Sequence, residues 1–144
     1  MAVAATTELE AINIMLSAIG EAPINSLTGT LPVDAKIAQS TLNEINKKVQ
    51  MEGWSFNTEI DVTLTRDGSN QISLPIDALR VDPNIHQHTT VDAIQRGLKL
   101  YDRLNNKFEF DEDLICTVVY LREFNEIPEP ARYYMTIKAA RVFV

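Results

Sequence analysis

Few residues in this chain have the types and spacing that chemistry requires. His86 and His88 form a His-x-His pair, which in a strand turns both rings to one side and begins a metal site. Asp82 or Asp92 would have to supply the third ligand, because the chain has only 2 histidines. Without a committed third ligand the pair reads as a solvated or contact loop, and no metal is expected. Asp111, Glu112 and Asp113 place three carboxylates side by side. Glycosidic-bond cleavage needs two carboxylates at a set separation in unlike environments, whereas three acids in one tight turn read as a solvated strand connector. The 5 glycines stand singly, so there is no phosphate cradle, and no serine or cysteine nucleophile has a base beside it. No catalytic residue and no cofactor is expected.

Composition narrows the function further. The 144 residues suit one domain-sized chain, and with 45% apolar and 23% charged residues they can build an ordinary hydrophobic core. A net charge of -7 argues against a surface that grips nucleic acid by neutralising phosphates, yet it suits the wall of a duct that DNA must slide past. The last stretch, Pro130 to Val144, runs against this balance: it holds Arg132, Lys138 and Arg141 and no acid. That end suits an acidic partner or the negative pole of its own helix. The single cysteine, Cys116, excludes an intramolecular disulfide and lies in an apolar run that predicts a buried structural thiol. No apolar run reaches the length of a membrane span and the N-terminus shows no export signal, so synthesis in the cytosol without a membrane anchor is expected.

The elements that would position these residues are legible as changes of period. Thr7 and Glu10 form a capping-box pattern ahead of Leu9, Ile12, Leu16 and Ile19, and Gly20 ends this first helix. Asp34 is read as the N-cap of a second helix carrying Ala38, Leu42, Ile45 and Val49 and stopping at Gly53. From Trp54 the period becomes two. Trp54, Phe56, Thr58, Ile60, Val62 and Leu64 predict one face of a long strand, with Ser55, Asn57 and Glu59 on the wet face. Asp67-Gly68 is read as a hairpin turn leading to a return arm with Ile72 and Leu74. A second hairpin is expected, with Leu98 and Leu100 on one arm, Asn105-Asn106 near the turn, and Phe108 and Phe110 on the other. A strand from Leu114 to Leu121 follows. Between the hairpins, Val81 to Gln95 reads as a long surface loop.

Pro128 and Pro130 open a last helix, because proline is tolerated in a first turn and blocks helix before it. Tyr133, Met135, Ile137, Ala139, Ala140, Val142, Phe143 and Val144 make this helix apolar nearly all round, apart from a polar wedge at Lys138 and Arg141. Such a helix calls for burial on several sides. It reaches the last residue without a cap or polar tail, which fits either a truncated form of a longer protein or a helix end buried by another subunit. The fold class is therefore α+β: a small helical bundle formed by 1–53 and 128–144, with an antiparallel β-hairpin module inserted at 54–127.

Three groups of residues, in order, carry a family resemblance: Ser17-Ala18-Ile19-Gly20-Glu21-Ala22-Pro23-Ile24-Asn25, then Gly53-Trp54-Ser55-Phe56-Asn57, then Arg96-Gly97 through Tyr101-Asp102-Arg103. With the final helix opening Pro128-Glu129-Pro130-Ala131-Arg132, the chain resembles the tail tubular protein A family of short-tailed bacteriophages. The resemblance implies a structural virion protein without enzymatic activity, located in the tail at the head-to-tail junction. It implies a twelve-fold ring of identical subunits below the portal protein. That ring would continue the DNA channel without sequence-specific binding and meet the tail nozzle and tail fibres. Tyr133, Ile137, Lys138, Arg141 and Phe143 on the last helix, and Asn84, His86 and His88 in the long loop, are the candidate partner or ring contacts. A virion-associated glycan- or peptidoglycan-cleaving enzyme using Asp111 and Glu112 is the alternative from another class, and a monomeric binding module is a third.

Overall fold

The structure, a computed structural model, describes residues 5–144 and has a mixed α+β fold of three α-helices and small antiparallel sheets. The described residues form two compact units. One runs up to Val49 and resumes at Arg122–Val144; the other is Gln50–Leu121.

The helical unit begins with α1 (Glu8–Ala18), started and stopped by its ends as the sequence predicts. Thr7 is extended, and its hydroxyl oxygen accepts the Glu10 N–H at 3.1 Å, a cap that contributes about 1 kcal/mol. At the other end Gly20 takes φ +77°, so that its N–H reaches the Ser17 carbonyl and the Glu21 N–H reaches the Leu16 carbonyl. That pair of bonds satisfies carbonyls the helix would leave open and needs a residue without a Cβ penalty. Ala11, Ile12, Met15 and Leu16 are the buried face, while Ile19 of the expected stripe is exposed beyond the last turn. The second helix, α2, spans Val33–Gln50, so Asp34 lies in its first turn rather than capping it. Ala35, Ala38, Leu42, Ile45 and Val49 are buried. A short 3-10 turn at Phe124–Glu126 leads into α3 (Glu129–Phe143), which packs against α1.

The β unit departs from local expectation in its pairing. Strand β1 (Thr58–Leu64) does not form a hairpin with the segment after Asp67-Gly68; it pairs antiparallel with β5 (Leu114–Tyr120). With β2 (Ala78–Pro83) this gives a three-stranded sheet in the order β1-β5-β2. The Asp67 turn does form: its carboxylate accepts the Ser69 and Gln71 N–H groups at 2.8 and 3.0 Å. The chain beyond it, however, bridges elsewhere, Ser73 to Lys99 and Gln71 to Glu109. The other hairpin is β3 (Ala93–Arg96) with β4 (Lys99–Asp102), turning at Gly97-Leu98, so the expected Val81 to Gln95 loop contains the end of β2 and the start of β3. Leu64, Ile72, Val81, Leu100, Phe110, Leu114, Cys116 and Val118 form the core of this unit. Cys116 is fully buried, and desolvation, with the Asp82 charge, pushes its thiol up to about 11.

The strand predicted from Trp54 begins only at Thr58, and Asn57, assigned to the wet face, is buried. Its side chain makes the corner. The amide oxygen accepts the Trp54 N–H at 2.8 Å, and the amide nitrogen donates to the Gln50 and Tyr120 carbonyls at 2.8 and 2.9 Å. Gly53 sits in this corner at φ +82°, where a Cβ would lie 3.2 Å from both Arg80 and Val119 side-chain atoms. The alternation also fails at a bulge between Glu59 and Val62, where Asp61 adopts φ 58° and Ile60 turns out to solvent.

Candidate functional site

The last helix is held at its start by two motif residues. Pro128 is extended and stands as the N-cap, and Pro130 fits the first turn. Arg132 then donates from Nε to the Ile127 carbonyl and from one terminal amine to the Thr6 carbonyl, both at 2.8 Å, and from the other to the Asn125 carbonyl. Its guanidinium carbon lies 5.9 Å from the centre of the Phe124 ring. Glu129 accepts the Thr6 hydroxyl and, at 2.7 Å, the Thr6 N–H. Those bonds, the hydroxyl first, hold its carboxyl below the usual value. The segment entering α1 is thereby tied to the segment entering α3.

With its start fixed, α3 turns Met135, Thr136 and Ala139 inward. The mid-helix hydroxyl of Thr136 donates to the Arg132 carbonyl at 2.7 Å, so it is buried with a partner. The opposite side carries Tyr133, Ile137 and Arg141 at steps of four, with Tyr134 and Lys138 beside them. These five residues line a groove of about 440 Å³. Tyr133 is 62% and Tyr134 51% exposed, and the Lys138 ammonium stands 5.7 Å from the Tyr134 ring centre. Phe143 is half-buried and does not line the groove. The structure therefore brings Tyr133, Ile137, Lys138 and Arg141 together as one amphipathic, cationic face.

The loop residues behave differently. Asn84 folds a turn on itself: its side-chain oxygen accepts the His86 N–H at 2.9 Å and its backbone carbonyl accepts the His88 N–H at 2.9 Å. His86 is exposed, but His88 is only 6% exposed and is not on the surface as its loop setting suggested. Its Nε2 accepts the Ile115 N–H at 2.8 Å, which leaves the proton on Nδ1 to donate to Glu112 at 3.0 Å. The acidic turn is engaged in a related way. Asp113 takes the Arg66 N–H and Nε at 2.9 and 3.0 Å, and its carboxyl is held low first by that backbone bond. The two histidines do not share a ligand geometry, and no cluster of three metal-ligating side chains occurs among the described residues.

Four fasteners are not legible in the sequence. Arg132 reads only as a cation of the acid-free end, Glu129 carries no signal of its own, and Asn57 falls on the face that the alternation marks as wet. Asn13, which pins the Glu21–Ile24 connector by exchanging two bonds with the Ile24 backbone at 3.0 and 2.8 Å, carried no signal beyond a polar residue inside an apolar helix. Among the described residues no helix is long and apolar enough to cross a membrane.

The tail tubular protein family model matches residues 9–144. Tail tubular protein A of Klebsiella phage KP34 is 31% identical over 130 residues, which cover 89% of this chain and 66% of that protein. The chain thus spans just under two thirds of the relative's length. It belongs to the tail tubular protein family, the structural proteins of bacteriophage tails.

Proposed function

We propose that this chain is the head-to-tail adaptor subunit of a short-tailed phage. Twelve copies of it close into a ring between the portal protein and the tail nozzle. The ring extends the channel through which DNA passes without sequence-specific contacts and gives tail fibres an attachment surface. The helical unit forms the ring and meets the portal; the β unit, read as a module inserted into the helical one, serves the nozzle or fibres.

The observation that carries this reading is the outer face of α3. Tyr133, Tyr134 and Ile137 put aromatic and aliphatic surface beside Lys138 and Arg141 around one groove, an arrangement that suits burial against another subunit. Family membership supports the tail as its setting. The test is the mass of the protein in solution, alone and with its cognate portal ring. A twelve-fold assembly in either sample supports the adaptor role, and a protein that stays monomeric with the portal overturns it. Tyr133→Asp, an exposed substitution that should leave the melting temperature unchanged, is expected to abolish the assembly.

A further inference from the structure

A closed ring of identical subunits uses heterologous contacts, in which one patch meets a different patch on the next copy. The α3 groove supplies one patch, with two cations among apolar side chains. The helical unit supplies a complement on α1. Its buried residues, Ala11, Ile12, Met15 and Leu16, leave the opposite side to Glu10, Ile14, Ser17 and Ala18. All four of these are exposed, Ile14 by 42%. Glu21 follows the same line just beyond the helix. Its place is fixed by its N–H bond to Leu16 at 2.9 Å and by the Asn13 pin on Ile24. The stripe is therefore acid, aliphatic, small, acid, and small residues at its middle let another helix approach closely. Neither Glu10 nor Glu21 makes an ion pair among the described residues, and neither does Arg141.

We propose that the α3 groove of one copy receives the outer face of α1 of a second copy, with Glu10 and Glu21 against Lys138 and Arg141, and Ile14 against Tyr133 and Ile137. This rests on the ring reading above and names its interface. Opposite charges beside an apolar contact favour one orientation of the two helices over the reverse, which a ring needs if its subunits are all to face the same way.

Charge reversal tests it. The double variants Lys138→Glu/Arg141→Glu and Glu10→Lys/Glu21→Lys are each expected to lower the ring yield with the cognate portal about tenfold or more. The fourfold variant, with both patches reversed, is expected to recover it. Melting curves of all variants should match the unaltered protein, because Glu10, Glu21 and Arg141 are exposed and Lys138 is half-exposed at the groove. Unaltered ring yields in the doubles, or a fourfold variant as defective as they are, would overturn the interface while leaving the ring. If the unaltered protein makes no ring with the portal, the adaptor reading fails and the interface goes with it. In a second assay, a chain carrying Ile14→Cys and Tyr133→Cys should give a ladder of disulfide-linked multimers on oxidation within the assembly. Buried Cys116 does not compete, and the absence of a ladder from assembled rings counts against the interface.

Discussion

In the β unit, Arg66, Arg80 and Arg103 each sit against a carboxylate, Asp113, Asp82 and Asp92, at 3.0, 3.1 and 2.9 Å. In the helical unit, Lys138 and Arg141 sit instead among tyrosines and isoleucine, and Arg132 spends its guanidinium on three backbone carbonyls. Three arginines of the β unit are thus paired locally, whereas the helical unit pairs Lys48 with Glu44, uses Arg132 as a fastener and leaves Lys138 and Arg141 on an apolar face. Exposed pairs such as those of the β unit contribute little to stability. An unneutralised cation beside exposed aromatic rings, by contrast, has its electrostatic partner still to find. This difference is what the proposed interface on α3 rests on.

Single side chains that fasten the backbone distinguish the two units further. The largest effect is expected at the Asn57 corner of the β unit. Asn57→Ala removes three hydrogen bonds to the Trp54, Gln50 and Tyr120 backbone from a buried side chain and should cost about 3 kcal/mol, read from denaturant unfolding. If the loss is below about 1 kcal/mol, the corner is held by Gly53 and its packing rather than by the amide. Arg132→Ala removes charged hydrogen bonds to three carbonyls in a more open setting and should cost about 2 kcal/mol. It should also raise amide exchange in the segment around Thr6, which the same guanidinium holds. An unchanged exchange rate there would show that Glu129 alone secures the entry to α1.

A smaller effect separates the two histidines. His88→Ala strips the Ile115 N–H of its acceptor and should cost about 1–2 kcal/mol, whereas His86→Ala should stay within about 0.5 kcal/mol. Equal effects would return both residues to the solvated loop that their sequence setting suggests. The smallest effect lies in the acid limb of stability. Glu129 and Asp113 have carboxyls held below their ordinary values in the folded chain. Their contribution is complete above the ordinary carboxylate range and is lost as pH falls through the lowered folded values. Melting temperature measured against pH should therefore fall less steeply on the acid side in Glu129→Gln and Asp113→Asn, and an unchanged slope would remove these two groups from the account.

Much of the helical unit is legible in the sequence because its signals are local. Thr7, Gly20, Pro128 and Pro130 act within a turn of where they stand, and the 3.6-residue period finds the buried faces of α1 and α2. The β unit is less legible because its decisive pairings are distant. The Asp67 turn forms as its residues dictate, yet Ile72 passes its carbonyl to Leu100, and β1 finds β5 some fifty residues on, roughly the scale at which local turn chemistry no longer chooses the partner. Sequence period also cannot see a polar side chain that serves the backbone. Asn57 reads as a wet-face residue and His88 as a loop residue until the groups they satisfy, at Tyr120 and Ile115, are brought beside them. At the candidate site, the type and spacing of Tyr133, Ile137, Lys138 and Arg141 are visible from the start. Which side of α3 stays open depends on the Arg132 and Glu129 bonds that orient it.

The interruption of β1 at Asp61 bears on solubility. A sheet in the order β1-β5-β2 presents two open edges, each a template on which another chain can lay a strand. Here one edge is kinked by a bulge with a left-handed residue, and the other ends at Pro83, which has no N–H to offer. Copies crowded together are thus denied a flat ribbon to extend into fibres.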